Sequence, residues 1–296
     1  MVVMNESFSD LTTYLEGYET STDPMPYVRL LMKRGDVVSG TCAVSSDMGT
    51  GTANSEFEFL TGNSMAYFKG NTPYVQFIDT ETPSLASLLA GHSTMAMHAY
   101  ERAGYNRVKV YDRFGFEVYK GIEDFDVDLD YARGYPTDEA NYRQLISYLE
   151  TVDEPTVVLF FGDHEPCLSN EFYSNWFTDE NDLDLETTAQ LHKTPFFIWG
   201  NYNLNTESIQ KGSVVSLNYL STVLFQTAGV QLSPYQEYLA DLRMEHPVIT
   251  ARYFTTAFGD KAGTAPSAFT DSIREYQWLQ YSCVFDRAHR IPGFYS

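Results

Sequence analysis

The chain has 296 residues and carries 40 Asp and Glu against 19 Lys and Arg, a formal charge of −21. With 43% hydrophobic and 15% aromatic residues it can build a substantial core, which excludes disorder as a description of the whole. So negative a surface repels phosphate backbones at long range and no basic run interrupts it, so nucleic acid is excluded as a natural partner.

In chain order, the apolar segment 2–4 predicts a strand that stops at Asn5, Glu6 and Ser7. This start has no basic stretch and meets Glu6 and Asp10 at once, so it reads as a strand rather than a secretory leader. No apolar run approaches the ~20 residues needed to span a bilayer. Cys42, Cys167 and Cys283 are odd in number and lack CxxC spacing, which argues against a disulfide framework or a zinc site. Residues 8–37 read as a surface connection and a helix, with Leu30, Leu31 and Met32 as its apolar patch. The Gly-, Ser- and Thr-rich segment 39–51 is expected to be a loop that delivers Thr52 to the start of a helix over 52–62. In that helix Ala53, Phe57 and Leu60 recur at i, i+4 and i+7, and Gly62 closes it.

Further on, 85–89 predicts a helix and 94–97 a short strand ending on His98. Residues 138–151 predict another helix. The run 156–161 has no polar alternation, as expected of a parallel strand covered on both faces, and ends at Gly162, Asp163 and His164. A buried strand over 195–199, a helix over 217–229 and an aromatic-rich helix over 270–285 complete the pattern. Strands alternating with helices predict an α/β fold with a largely parallel central sheet sandwiched by helices. Ligands of such sheets sit beyond the carboxyl ends of the strands. Glu6, His98, Asp163 and His164 all fall at such ends, which makes them one candidate site.

Two carboxylates and an imidazole suit a divalent cation, with Mn²⁺ or Mg²⁺ favoured over Zn²⁺ by the oxygen-rich donors. Thr52 could complete the set as an oxygen nucleophile, because a cation and a helix N-terminus both stabilise an alkoxide. His98 and Arg107 could supply donors to a phosphoryl group under attack.

The segments Met4-Asn5-Glu6-Ser7, Gly51-Thr52-Ala53-Asn54-Ser55-Glu56-Phe57-Glu58, Met97-His98 with Gly104-Tyr105-Asn106-Arg107, and Phe161-Gly162-Asp163-His164 resemble the lipoteichoic acid synthase and phosphoglycerol transferase family. That family is a branch of the alkaline phosphatase and sulfatase superfamily. The resemblance implies a single catalytic domain over 1–296 with a small C-terminal subdomain over 230–296. It also implies one divalent metal, Mn²⁺ or Mg²⁺, on Glu6, Thr52, Asp163 and His164. Thr52 would be the nucleophile that takes phosphoglycerol from phosphatidylglycerol, and His98, Arg107 and Tyr105 would hold the substrate. The implied partners are an anionic phospholipid or phosphodiester donor and a glycan or polymer acceptor, at the extracytoplasmic face of the membrane. Here the interval 117–155 is shorter than the family's and contains no histidine. A phosphodiesterase or phosphatase with the same site, and a non-catalytic remnant that binds metal or anions, remain as alternatives. A formylglycine-type sulfatase is disfavoured, because no Cys/Ser-x-Pro-x-Arg string occurs and threonine cannot be converted to formylglycine.

Overall fold

The computed structural model describes residues 1–68, 70–89, 91–125, 128–132, 135–137, 153–177 and 183–295. The strands among them are β1 (Val2–Asn5), β2 (Val38–Ala43), β3 (Met95–Met97), β4 (Val118–Lys120), β5 (Tyr131–Ala132), β6 (Tyr135–Pro136), β7 (Val157–Gly162), β8 (Lys193–Gly200), β9 (Val214–Ser216), β10 (Tyr253–Thr255) and β11 (Lys261–Gly263). Five of these form the central sheet, in the order β1-β7-β8-β2-β9. β1 and β7 pair in parallel, as do β2 and β9, while β8 runs against both of its neighbours. Four of the five strands therefore share a direction, and the sheet is mostly parallel with one reversed strand.

The absence of alternation in β7 follows from burial on both faces. Leu159 and Phe161 join Phe196 and Ile198 of β8 in one core, whereas Phe160 stacks on Phe197 in another, with ring centroids 5.1 Å apart. The helix Pro26–Lys33 covers the Phe160 side through Val28, Leu31 and Met32. On the other side lies the helix Leu220–Ala228, with Val223 and Leu224 buried. Burial of each such large side chain is worth about 1.5–3 kcal/mol. Among the described residues, no helix is long and apolar enough to cross a membrane.

Two expectations are corrected. The segment 39–51 is not a loop throughout, because its first residues belong to β2, a buried strand between β8 and β9. Its Ser, Thr and Gly content disguised it. Gly40 is required by close packing, since a Cβ there would lie 2.6 Å from the Ser213 carbonyl oxygen and 2.7 Å from the Phe196 ring. The second correction concerns the strand before His98. Among the described residues β3 pairs with β4 alone, in a separate two-stranded parallel sheet, so His98 does not end a strand of the central sheet. The apolar run signalled a strand but not its partner. The helix expected over 138–151 lies outside the described residues.

The helix Thr52–Thr61 forms as its spacing predicts and ends at Gly62, whose φ is 68°. Ala53 and Phe57 enter one core and Phe59 another, where its ring meets Phe161 at 5.1 Å. Within 230–296, the helices Pro234–Glu245 and Asp271–Val284 contribute Leu239, Ile273 and Tyr276 to the same cluster as Phe57. The helix bearing Thr52 is thereby clamped between the sheet and the C-terminal segment.

Candidate active site

Register assembles half of the site. Asn5 of β1 lies opposite Gly162 of β7, so the next residues, Glu6 and Asp163, leave the sheet side by side. Gly162 admits no substitute, because a Cβ would stand 1.8 Å from the Phe8 carbonyl oxygen. Ser7 adopts a φ of 55°, uncommon for a residue with a side chain. Its N–H donates to Asp163 Oδ1 at 2.8 Å, and the His164 N–H donates to the same oxygen at 2.8 Å. Ser55 Oγ donates to the Asp163 carbonyl at 2.8 Å and so ties the turn to the helix Thr52–Thr61. Ser46 Oγ lies 2.7 Å from Ser55 Oγ and donates to the Gly51 carbonyl at 2.8 Å, which fixes the approach to Thr52.

The other half arrives on that helix. Thr52 stands in its first turn and is buried; its Oγ1 donates to Glu6 Oε2 at 3.0 Å and lies 3.3 Å from His164 Nε2. His164 Nε2 is 3.2 Å from Glu6 Oε1 and 3.1 Å from Asp163 Oδ2. All four residues expected at the metal are together. His164 Nδ1 lies 2.9 Å from the Glu165 carbonyl, an acceptor, so Nδ1 carries a proton and Nε2 faces the cluster. Asp163 Oδ2 is buried and accepts no properly directed hydrogen bond among the described residues. Glu6 is 64% exposed and opens this corner to solvent.

The corner gathers acceptors that only a positive charge can reconcile. Burial, and then the Glu6 charge, push the Asp163 carboxyl up to about 7. Burial acts to lower His164, but its hydrogen bond to Glu6 and the Asp163 charge outweigh burial and raise it to about 9. Burial opposes ionisation of Glu6, yet His164 and the Thr52 hydroxyl draw its carboxyl below the usual range. Oxygens of Glu6 and Asp163 and a nitrogen of His164 lie within 4.8 Å of one another, a donor set that fits a divalent cation. The buried, unpartnered Asp163 Oδ2 supports the same reading.

Of the three residues expected at the substrate, His98 is near enough to Glu6 to feel its charge, while Arg107 and Tyr105 lie together beside Glu56. His98 feels the charges of Arg107, Glu56 and Glu6; burial, reinforced by Arg107, lowers it to about 4, so it is neutral at physiological pH. Arg107 is 1% exposed and held by Glu56, with Nε at 3.1 and 3.2 Å from the two carboxylate oxygens and Nη2 at 2.6 Å from one of them. Its Nη1 donates to the Gly104 carbonyl at 3.3 Å. The Tyr105 ring, 43% exposed, lies 5.2 Å from the Arg107 guanidinium carbon.

Motif and spacing assign no role to Glu56 or to Tyr111, whose hydroxyl donates to Glu56 Oε2 at 2.9 Å. A usable signal was present. Glu56 sits one helical turn beyond Thr52, on the face that the nucleophile occupies, and that spacing is the signal that could have singled it out.

The sequence pattern of the Sulfatase family matches residues 1–144 and 137–230. A cyclic beta-1,2-glucan modification protein of Rhizobium meliloti (strain 1021) is 25% identical over 370 aligned positions, which take in 100% of this chain and 56% of that protein. The chain thus spans about half the length of this relative. Among solved structures, the Streptococcus pyogenes phosphoglycerol transferase GacH, in complex with sn-glycerol-1-phosphate, is similar with a TM-score of 0.74 at 16% identity, over 96% of this chain and 85% of that one. The Listeria monocytogenes lipoteichoic acid synthase LtaP gives 0.61 at 14% identity, over 96% and 92%. A Vibrio parahaemolyticus protein of the alkaline phosphatase superfamily gives 0.53 at 11%, over 86% and 73%. The fold expected from the sequence is therefore the fold found, and the chain belongs to the Sulfatase family.

Proposed function

We propose that the chain is a metal-dependent phosphoglycerol transferase acting on phosphatidylglycerol-type phosphodiesters through a covalent phosphothreonine at Thr52. Its setting is the modification of a cell-envelope glycan or polymer at the extracytoplasmic face of the membrane. One observation carries this reading: the Thr52 hydroxyl, buried at a helix start, sits 3.0 Å from Glu6 and 3.3 Å from His164, residues far from it in sequence. The likeness in fold to a phosphoglycerol transferase and a lipoteichoic acid synthase supports the reaction class. The Rhizobium relative's name supports a glucan as acceptor.

A divalent cation held by Glu6, Asp163, His164 and Thr52 would supply the Lewis acidity that makes a threonine hydroxyl nucleophilic at neutral pH. The chain's own residues do the rest. Thr52 Oγ1 directs its proton to Glu6 Oε2, and the first-turn amides of the helix Thr52–Thr61 favour negative charge on that oxygen. Oγ1 attacks phosphorus, the bond from phosphorus to the diacylglycerol oxygen breaks, and diacylglycerol leaves as the alcohol after taking a proton. Neutral His98 donates to a phosphoryl oxygen, while Arg107, buried and paired with Glu56, acts as a positioning residue beside it. With the interval 117–155 free of histidine, His98 and Tyr105 carry the substrate contact, and Arg107, buried against Glu56, positions the wall behind them.

Purified protein with Mn²⁺ and phosphatidylglycerol vesicles should release diacylglycerol. Thr52→Ala should lower that rate at least about 10³-fold, as loss of a catalytic nucleophile does, while its melting temperature stays within a few degrees, since losing the hydrogen bond to Glu6 costs about 1 kcal/mol. Equal inertness of wild type and variant contradicts the proposal. Release of glycerol phosphate to water with no transfer to any sugar identifies a hydrolase instead.

A further inference from the structure

A groove of ≈ 370 Å³ opens beside the nucleophile, with Gly51, Ala53 and Asn54, the chain neighbours of Thr52, on its wall. We infer that this groove is the acceptor subsite and that it takes the neutral hydroxyls of a sugar or polyol, not a phosphate group or an acyl chain. The inference deepens the proposed function and rests on Thr52 being the nucleophile.

The lining chemistry carries it. Asn54 and Thr72 offer an amide and a hydroxyl, groups that both donate and accept, as the hydroxyls of a sugar ring require. Tyr105, 43% exposed, adds an aromatic face of the kind that packs on the C–H side of such a ring. Aliphatic side chains are few in the lining, so a fatty acyl chain would leave buried amides unmatched. Arg252 is the cation among the described lining residues, and it is already committed. Its Nη1 donates to the Ser45 carbonyl at 2.6 Å and its Nη2 pairs with Asp47. Among the described residues, a phosphate entering here would meet the Asp47 charge without a cation set aside for it. On the same wall Asn54 Oδ1 is buried without a hydrogen-bond partner among the described residues, and Asn54 Nδ2 only reaches the Asn71 carbonyl at 3.5 Å. The volume falls within the ~300–1,000 Å³ of small-molecule sites, enough for one or two sugar rings.

The step the groove serves is balanced. The acceptor hydroxyl oxygen forms a bond to the phosphorus carried on Thr52, the bond from phosphorus to Thr52 Oγ1 breaks, and the acceptor's proton ends on Oγ1. Free threonine and a glycerophosphoryl sugar result, with no oxidant or further reactant.

The test uses the whole chain with sophorose, a neutral β-1,2-linked glucose disaccharide, as probe. Thr72→Trp fills the groove at a side chain that makes no capping hydrogen bond. By calorimetry wild type should bind sophorose and Thr72→Trp should bind it at least tenfold more weakly, with glycerol 1-phosphate failing to compete. In the presence of phosphatidylglycerol, the ratio of transfer to sophorose over release to water should fall at least tenfold in the same variant. Should Thr72→Trp not fold, Asn54→Ala should give the same loss of sugar binding. No sophorose binding by wild type, equal binding by both proteins, or displacement by glycerol 1-phosphate overturns the subsite. Sophorose binding that the variant abolishes, without any turnover by wild type, would sink the transferase reading and leave the groove standing. Lipid cleavage without sugar binding would do the reverse.

Discussion

The helix Thr52–Thr61 carries two polar clusters one turn apart, and they are built on opposite principles. At Glu56 a buried carboxylate is fully met: it accepts from Arg107 at 2.6, 3.1 and 3.2 Å and from the Tyr111 hydroxyl at 2.9 Å. At Thr52 the neighbouring carboxylates face one another and an imidazole nitrogen, and Asp163 Oδ2 accepts no properly directed hydrogen bond among the described residues. A satisfied cluster needs nothing from outside and acts as a rigid part. An unsatisfied one at a strand end has a donor set that suits a cation, and beside it Ser7 adopts a left-handed backbone.

The comparison can be broken by removing a member of each cluster. Glu56→Ala strands the Arg107 charge in a site 1% exposed, so unfolding should become easier by about 3–5 kcal/mol in chemical denaturation. Thr52→Ala, which removes no charge, should cost only about 1 kcal/mol. If the two variants lose stability equally, the clasp is not the structural member of the pair.

The sign of the pH response sharpens the contrast. With no cation bound, Asp163 is raised to about 7 and His164 to about 9. The raised carboxyl makes stability fall as pH climbs from about 4 to 7. The raised imidazole gives stability that is present below about 6.5 and lost as pH climbs through about 9. Cation binding needs Asp163 ionised and His164 Nε2 bare, so it strengthens over the same span. The rise in melting temperature caused by Mn²⁺ should therefore grow from pH 6 to pH 9, and Asp163→Ala should abolish it at every pH. A Mn²⁺ effect that is independent of pH, or that survives in Asp163→Ala, contradicts the assigned donor set. The smallest expected effect lies in the clasp. Tyr111→Phe removes one of Glu56's hydrogen bonds and should cost about 1–2 kcal/mol, readable in the same denaturation curves, with the response to Mn²⁺ unchanged.

Much of this was legible in the sequence, and for physical reasons. An apolar run that halts on a polar residue marks a strand end, which is how Glu6, Asp163 and His164 announce themselves, and a helical spacing that begins just after Gly51 puts Thr52 in a first turn. What linear reading misses is partnership across the chain. β2 was hidden because its Ser, Gly and Thr residues fit a crowded sheet interior through Gly40, a constraint set by Ser213 and Phe196. The partner of β3 is β4, which no periodicity reveals. Glu56 reads as one more polar position on a helix until Arg107 and Tyr111 are brought against it.

The central claim is that one cation joins side chains from three distant parts of the chain. Crystals of the protein soaked in Mn²⁺ should give a single strong anomalous peak at the corner, at roughly 2.0–2.3 Å from oxygens of Glu6, Thr52 and Asp163 and from Nε2 of His164. A peak elsewhere, or no peak at the corner in a soak that loads other sites, would contradict it.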